Sequence, residues 1–254
     1  MFWICGTRCI GTDFAHARSA PTVIDIATRP GVTQRFLYIA PDSPKAAVIL
    51  YAGGHGGLQL DLYGTFDWGQ GNFLVRTRQI FGSNGLAVAV IDAPSDRQSA
   101  PFLIGFRLSA EHAADGKAVI AWMREHAEVP VWLVGTSRGT QSVAAIAIAL
   151  ANGGGLTSTI LRDDRRGSPV TSMNLSTLKI PVLVVHHRDD ACRYCPVSET
   201  SGLMEKLTGS SYDGLMIVSG GNAKGDPCEA FSYHGFNGVE GEVVHAIAEW
   251  IAAH

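Results

Sequence analysis

Short apolar, β-branched runs alternating with segments of helical period predict an α/β fold, a mostly parallel central sheet with helices on both faces. Two further observations support it. The chain has 254 residues, 46% hydrophobic and 17% charged, enough for the core of one large domain rather than two small ones. The apolar runs also lack strict alternation, as strands buried on both faces do.

Strands are expected at residues 35–39, 47–51, 86–91, 131–134, 157–161, 182–185 and 215–218, the first two separated by the turn Pro41-Asp42-Ser43-Pro44. Helices are expected at 72–81, 110–126, 138–151, 198–207 and 238–253. The last places Val243, Val244, Ile247 and Ile251 on one face. Asn152-Gly153-Gly154-Gly155 reads as a loose helix exit. The connection from 161 to 182, about 20 residues, is too short for a helical lid domain, so a minimal cap or none is expected.

No repeat, low-complexity tract or linker divides the chain, which places a single domain at 31–254 after an N-terminal extension at 1–30. In that extension Phe2, Trp3, Ile4 and Ile10 mix with Cys5, Arg8 and Cys9 ahead of Ala15-His16-Ala17. This reads equally well as the remnant of a secretory signal and as a frayed end.

Charge narrows the partners. Twenty Lys and Arg against 23 Asp and Glu give a formal net charge of −3, and the basic run at 162–166 is interrupted by two acids. A nucleic-acid groove is not expected. No apolar run approaches the roughly 20 residues that span a bilayer, so the chain reads as soluble. The sequence leaves oligomeric state open.

One motif carries chemistry. Gly135-Thr136-Ser137-Arg138-Gly139 follows the buried-strand pattern Val131-Trp132-Leu133-Val134 and precedes a strong helix. Gly-x-Ser-x-Gly between strand and helix is the pattern of a nucleophile elbow, in which a Ser is presented on a strained turn and bulky neighbours would collide. With 29 glycines in the chain, the flanking strand and helix are what give the pattern force. A Ser hydroxyl is a weak nucleophile at neutral pH and needs a base, itself oriented by a third group.

From residue 35 to the C-terminus the sequence resembles the α/β-hydrolase family, through this motif and three further segments in the family's chain order. The strand Pro181-Val-Leu-Val-Val-His-His-Arg-Asp-Asp190 ends in two carboxylates where the family places its triad acid. The resemblance implies Asp190, with Asp189 as the alternate, because His187 stands where a Gly is usual and loosens the register. Phe231-Ser-Tyr-His-Gly-Phe-Asn237 implies His234 as the base. Of the other histidines, His16 and His254 are terminal, His112, His126 and His245 fall in helix patterns, and His186 and His187 end a strand and are candidates to line the site. Ala52-Gly53-Gly54-His55-Gly56-Gly57 resembles the family's oxyanion loop, implying amides near Gly54 and His55, with the backbone N–H of Arg138 as the second donor.

The chain has five cysteines. Cys192 and Cys195 follow the acid and Cys228 precedes the base, so a triad would bring these loops together. A disulfide from Cys228 to Cys192 or Cys195 is the favoured reading, ahead of buried thiols and of a zinc site that lacks a second Cys-x-x-Cys. No resident metal is expected. A disulfide implies a periplasmic or secreted protein, the alternative being cytoplasmic.

The resemblance implies a serine hydrolase that needs no cofactor and cleaves small-molecule carboxylic esters through an acyl-enzyme. Peptidase, thioesterase and lactone or dienelactone hydrolase remain alternatives on the same triad, and a secreted non-catalytic binding protein is the rival outside enzymology. Loops 58–68, 92–107, 163–177 and 220–233 are expected to line the site. Among their residues, Tyr63, Phe66, Trp68, Phe102 and Phe106 are candidates for apolar groups, and Arg97, Arg107, Arg165 and Arg166 for a carboxylate.

Overall fold

The structure, a computed structural model, describes residues 20–150, 153–163 and 167–254. Eight strands form one sheet: β1 (Thr22–Arg29), β2 (Val32–Ile39), β3 (Ala46–Tyr51), β4 (Leu86–Ile91), β5 (Val131–Thr136), β6 (Gly153–Thr157), β7 (Val182–His187) and β8 (Asp213–Val218). Their spatial order is β1-β2-β4-β3-β5-β6-β7-β8. The first two pairings are antiparallel and the rest parallel.

Among the described residues six helices cover the sheet: α1 (Phe73–Arg76), α2 (Arg78–Ser83), α3 (Ala110–Ala127), α4 (Gly139–Leu150), α5 (Thr200–Met204) and α6 (Glu240–Ala253). The period-2 geometry of the strands divides their side chains between two cores. Val48, Leu50, Trp132 and Val134 face Phe73, Phe81 and the expected apolar stripe of α6. Ala47, Ile49, Val131 and Leu133 face α3 and α4 through Val119, Ile120, Met123, Val143 and Ile146. Helices on both faces of a mostly parallel sheet match the expectation. No helix among the described residues is long and apolar enough to cross a membrane.

The structure departs from the sequence reading in four places. Thr22–Arg29, assigned above to the extension, is the edge strand β1, paired along its length with β2. The possible signal segment at 1–19 lies outside the described residues. The strand expected at 157–161 lies instead at Gly153–Thr157, inside the tract read as a helix exit. Gly153 pairs with Trp132, and a Cβ on Gly153 would sit 2.2 Å from the indole ring, so the Trp side chain fills the room the glycine leaves. The helix expected at 72–81 breaks at Thr77, whose hydroxyl donates to the Phe73 carbonyl at 2.7 Å. The helix expected at 198–207 shortens to α5 after a 3₁₀ turn at Val197–Glu199. Between β6 and β7 the described residues hold only two 3₁₀ turns, Val170–Ser172 and Leu175–Thr177, so no helical lid stands there.

Candidate active site

The elbow is built by steric exclusion. Ser137 has φ +51°, a left-handed conformation that a non-glycine residue adopts at a cost of order 1–3 kcal/mol. The chain must turn back at once into α4. A Cβ on Gly135 would lie 2.5 Å from the Gly139 carbonyl oxygen, and one on Gly139 would lie 2.0 Å from the Tyr51 carbonyl oxygen. Both obstacles are backbone and cannot swing aside, which is why the motif needs glycine at these two positions. The Ser137 N–H donates to the Thr157 carbonyl at 3.0 Å, and its own carbonyl accepts from the Thr140 N–H and hydroxyl at 3.0 and 2.5 Å. The strained residue is therefore held from both sides.

Beyond β7 the chain turns so that Asp190 is buried while Asp189 stays exposed against Arg188. Asp190 Oδ1 accepts the Cys192 N–H at 2.8 Å, and Oδ2 meets His234 Nδ1 at 2.9 Å. Asp190, not its neighbour, is the carboxylate brought to the imidazole. His234 sits in a 3₁₀ turn, Tyr233–Gly235, with 4% of its surface exposed. Its backbone is clamped on both sides. Ser158 donates its hydroxyl to the His234 carbonyl at 2.7 Å, and Arg76 donates to the Gly235 carbonyl at 2.6 Å while pairing with Glu240.

A carboxylate on Nδ1 selects the tautomer in which that nitrogen carries the proton, leaving a lone pair on Nε2. Nε2 is buried and makes no hydrogen bond to a nitrogen or oxygen, while the Cys195 sulfur lies beside the ring. His234 and Ser137 line one cavity of 1440 Å³, though Nε2 and the Ser137 hydroxyl are not hydrogen-bonded to each other. Burial alone pulls the imidazole down from its ordinary range, but the Cys195 sulfur and the Asp190 carboxylate beside it outweigh burial, and the net shift is upward.

The glycine-rich turn after β3 forms another wall. Gly53, Gly54, His55 and Arg138 all line the cavity beside Ser137. The His55 ring lies between Trp68 and Phe102, at centroid distances of 3.8 and 4.3 Å. Arg107, a candidate carboxylate ligand by sequence, is instead buried beneath this turn. It donates to the Ala52 carbonyl at 3.0 Å and to the Ser142 hydroxyl at 2.8 Å, and Ser142 in turn meets His112 Nε2 at 2.9 Å. Asp92 anchors the following residues, accepting the N–H groups of Leu58 and Leu60 at 2.6 and 2.9 Å.

Of the expected lining aromatics, Trp68 faces the cavity. Phe66 and Phe106 belong to apolar clusters, and Tyr63 is exposed. Arg97 lies over the Phe106 ring, and Arg165 and Arg166 are outside the described residues. Phe231, Tyr194 and Lys224 line the cavity without having been singled out by sequence, since nothing local distinguishes them from other loop residues.

The cysteine reading resolves as a Cys192–Cys228 disulfide with a Cα separation of 4.5 Å, tying the acid loop to the base loop. Cys195 is a buried free thiol.

Neither a protein-family model nor a curated protein matches the chain. Solved structures do. A cold-adapted esterase from an Arctic intertidal metagenomic library aligns with a TM-score of 0.61 at 15% identity, over 92% of each chain. An esterase from Pyrococcus furiosus gives a TM-score of 0.66 at 14% identity, over 91% of this chain and 90% of its own. A dienelactone hydrolase from Anabaena variabilis gives 0.64 at 13% identity, over 92% of this chain and 98% of its own. At such identities the likeness speaks for architecture. With its elbow, its strand order and no large lid among the described residues, the chain has the α/β-hydrolase fold.

Proposed function

We propose that the protein is a serine hydrolase acting on small carboxylic esters, with Ser137 as nucleophile, His234 as general base and Asp190 as the group that orients it. The observation that carries the reading is the His234 imidazole. Its Nδ1 is committed to a buried carboxylate, and its Nε2, bonded to no nitrogen or oxygen, belongs to the ring that shares a cavity with Ser137. The reading requires Nε2 to come within hydrogen-bond reach of the Ser137 hydroxyl in the substrate complex.

In this mechanism Nε2 takes the Ser137 proton as the hydroxyl oxygen attacks the ester carbonyl. The resulting oxyanion is stabilised by backbone N–H groups at Gly54 or His55 and at Arg138. The imidazolium then protonates the leaving alcohol, and water, activated by the same nitrogen, releases the acid. Asp190 stabilises the charged ring without accepting its proton. The esterase and dienelactone hydrolase neighbours agree with acyl chemistry at this site. The Cys192–Cys228 bridge supports an oxidising, periplasmic or extracellular setting.

The test is labelling by a fluorophosphonate together with turnover of short-chain p-nitrophenyl esters. Both are expected in the wild type, and both are lost in Ser137→Ala, with kcat/KM falling by about four orders of magnitude or more. Labelling that persists in the variant places the nucleophile elsewhere. Absence of both in the wild type favours a binding protein on this fold, and hydrolysis of amides, thioesters or lactones without esters reassigns the substrate class.

A further inference from the structure

Beside the candidate site lies a group of side chains of which ester hydrolysis uses only the imidazole and leaves the sulfur atoms idle. Cys192, Cys195 and His234 are all buried, and their sulfur and ring-nitrogen atoms lie within 4.8 Å of one another. Cys192 is already bonded to Cys228, whereas Cys195 is a free thiol. The two members of this Cys-x-x-Cys sit on one tight turn, closed by the Cys195 N–H donating to the Cys192 carbonyl at 2.9 Å. Such a turn keeps its ends within about 7 Å at Cα, inside the range a disulfide bridges. Cys192 thus has two sulfur partners within reach and is bonded to one of them.

We propose that Cys195 exchanges with the Cys192–Cys228 disulfide, leaving Cys228 as a free thiol in the cavity and hence a latent modification site for small disulfides and soft electrophiles. His234 accepts the proton from the Cys195 thiol. The sulfur then attacks Cys192 Sγ; the 195–192 bond forms as the 192–228 bond breaks, and Cys228 departs as a thiolate that takes up a proton. One disulfide and one thiol are present before and after, so no oxidant or reductant is needed.

The leaving side is the accessible one. Cys228 is half-buried and lines the cavity, while Cys195 sits in an apolar cluster with Ile160. Burial pushes the Cys195 thiol up from its ordinary range, which keeps its thiolate fraction low and the exchange slow. Exchange also unties the loop preceding His234 from the loop following Asp190, since the bridge it removes is the covalent link between them. None of these steps involves the Ser137 hydroxyl.

The experiment is time-resolved alkylation of the full-length protein by iodoacetamide under native conditions without reductant. It is quenched in acid, digested with pepsin at low pH to block scrambling, and mapped by mass spectrometry with the Cys5 and Cys9 peptides scored separately. Alkylated Cys228 is expected to accumulate together with a Cys192–Cys195 linkage in the wild type, and at the same rate in Ser137→Ala. That second result separates the exchange from the hydrolase reading. In Cys195→Ser and Cys195→Ala, Cys228 labelling should fall at least tenfold with the 192–228 linkage retained. The proposal is overturned if wild-type Cys228 stays unlabelled, if Cys195 is alkylated while the 192–228 bond remains intact, or if Cys228 labels equally without Cys195.

Discussion

The His234 imidazole is subject to two opposed influences. Burial favours its neutral form, whereas the adjoining Cys195 sulfur, to the extent that it is ionised, and the Asp190 carboxylate at 2.9 Å favour the charged one, and the second influence prevails. Arg138 acts on the Cys195 thiol and His186 is coupled to Asp190 and His234. A general base works only when neutral, so kcat/KM for an ester should rise with pH through the raised His234 value. Its acid limb should therefore have a midpoint above 6.5, the ordinary histidine value. Asp190→Asn removes the charge that holds the imidazolium and the acceptor that fixes the tautomer. The limb should move to lower pH, and kcat/KM should drop by roughly 10⁴-fold, the loss seen when a triad carboxylate becomes an amide. A pH profile with its midpoint at or below 6.5 in the wild type, or unmoved in Asp190→Asn, contradicts the role assigned to this pair.

Among the elements, the elbow was legible because its requirement is local: Gly135 and Gly139 answer to backbone atoms that any strand, sharp turn and helix bring together. The family resemblance pointed to Asp190 and His234 by their places after β7 and before α6, and the two side chains meet at 2.9 Å. Strand β6 was not, because three successive glycines read as a break when taken alone. They become a strand only through the parallel pairing with β5, where the Trp132 ring occupies the space beside Gly153. The same reason hid the Arg107 support of the glycine-rich turn after β3 and the proximity of Cys195 to His234, both made by residues remote in sequence. Gly153→Ala should therefore destabilise the fold by about 1–3 kcal/mol through overpacking, read as a lower urea midpoint with unchanged m-value. Combining it with Trp132→Leu should recover part of that loss relative to the sum of the two single changes. Strict additivity would remove the indole as the cause.

For the molecule as a whole, two further buried histidines, one on α3 and one on β7, bear on its stability in acid. His112 lies under the glycine-rich turn after β3, bonded to Ser142, and burial holds it down at about 3. His186, in β7, accepts the Thr159 N–H at 2.8 Å and is held at about 4 for the same reason. In the unfolded chain both protonate near 6.5, so as pH falls below that value the unfolded state takes up protons that the folded state refuses. Stability is then lost down to the folded values. His234 behaves oppositely. Its raised folded value gives stability that is fully present below 6.5 and lost only as pH rises through that folded value, so it adds no slope on the acid side. The carboxylates with lowered values, Asp96, Asp189 and Glu240, have ordinary values of 3.8, 3.8 and 4.5 and lose their contributions at lower pH. Between pH 6.5 and 5 these two histidines therefore dominate, each removing about 1.6 kcal/mol, less than the full 1.36 kcal/mol per pH unit because the unfolded ring is already half-protonated at 6.5. Urea denaturation at the two pH values should show this loss, and His112→Asn should reduce the pH-dependent part by about half whatever it does to stability at pH 6.5. Stability that is flat or rising from pH 6.5 to 5 would mean that these rings accept protons inside the fold, against the burial and bonding described for them.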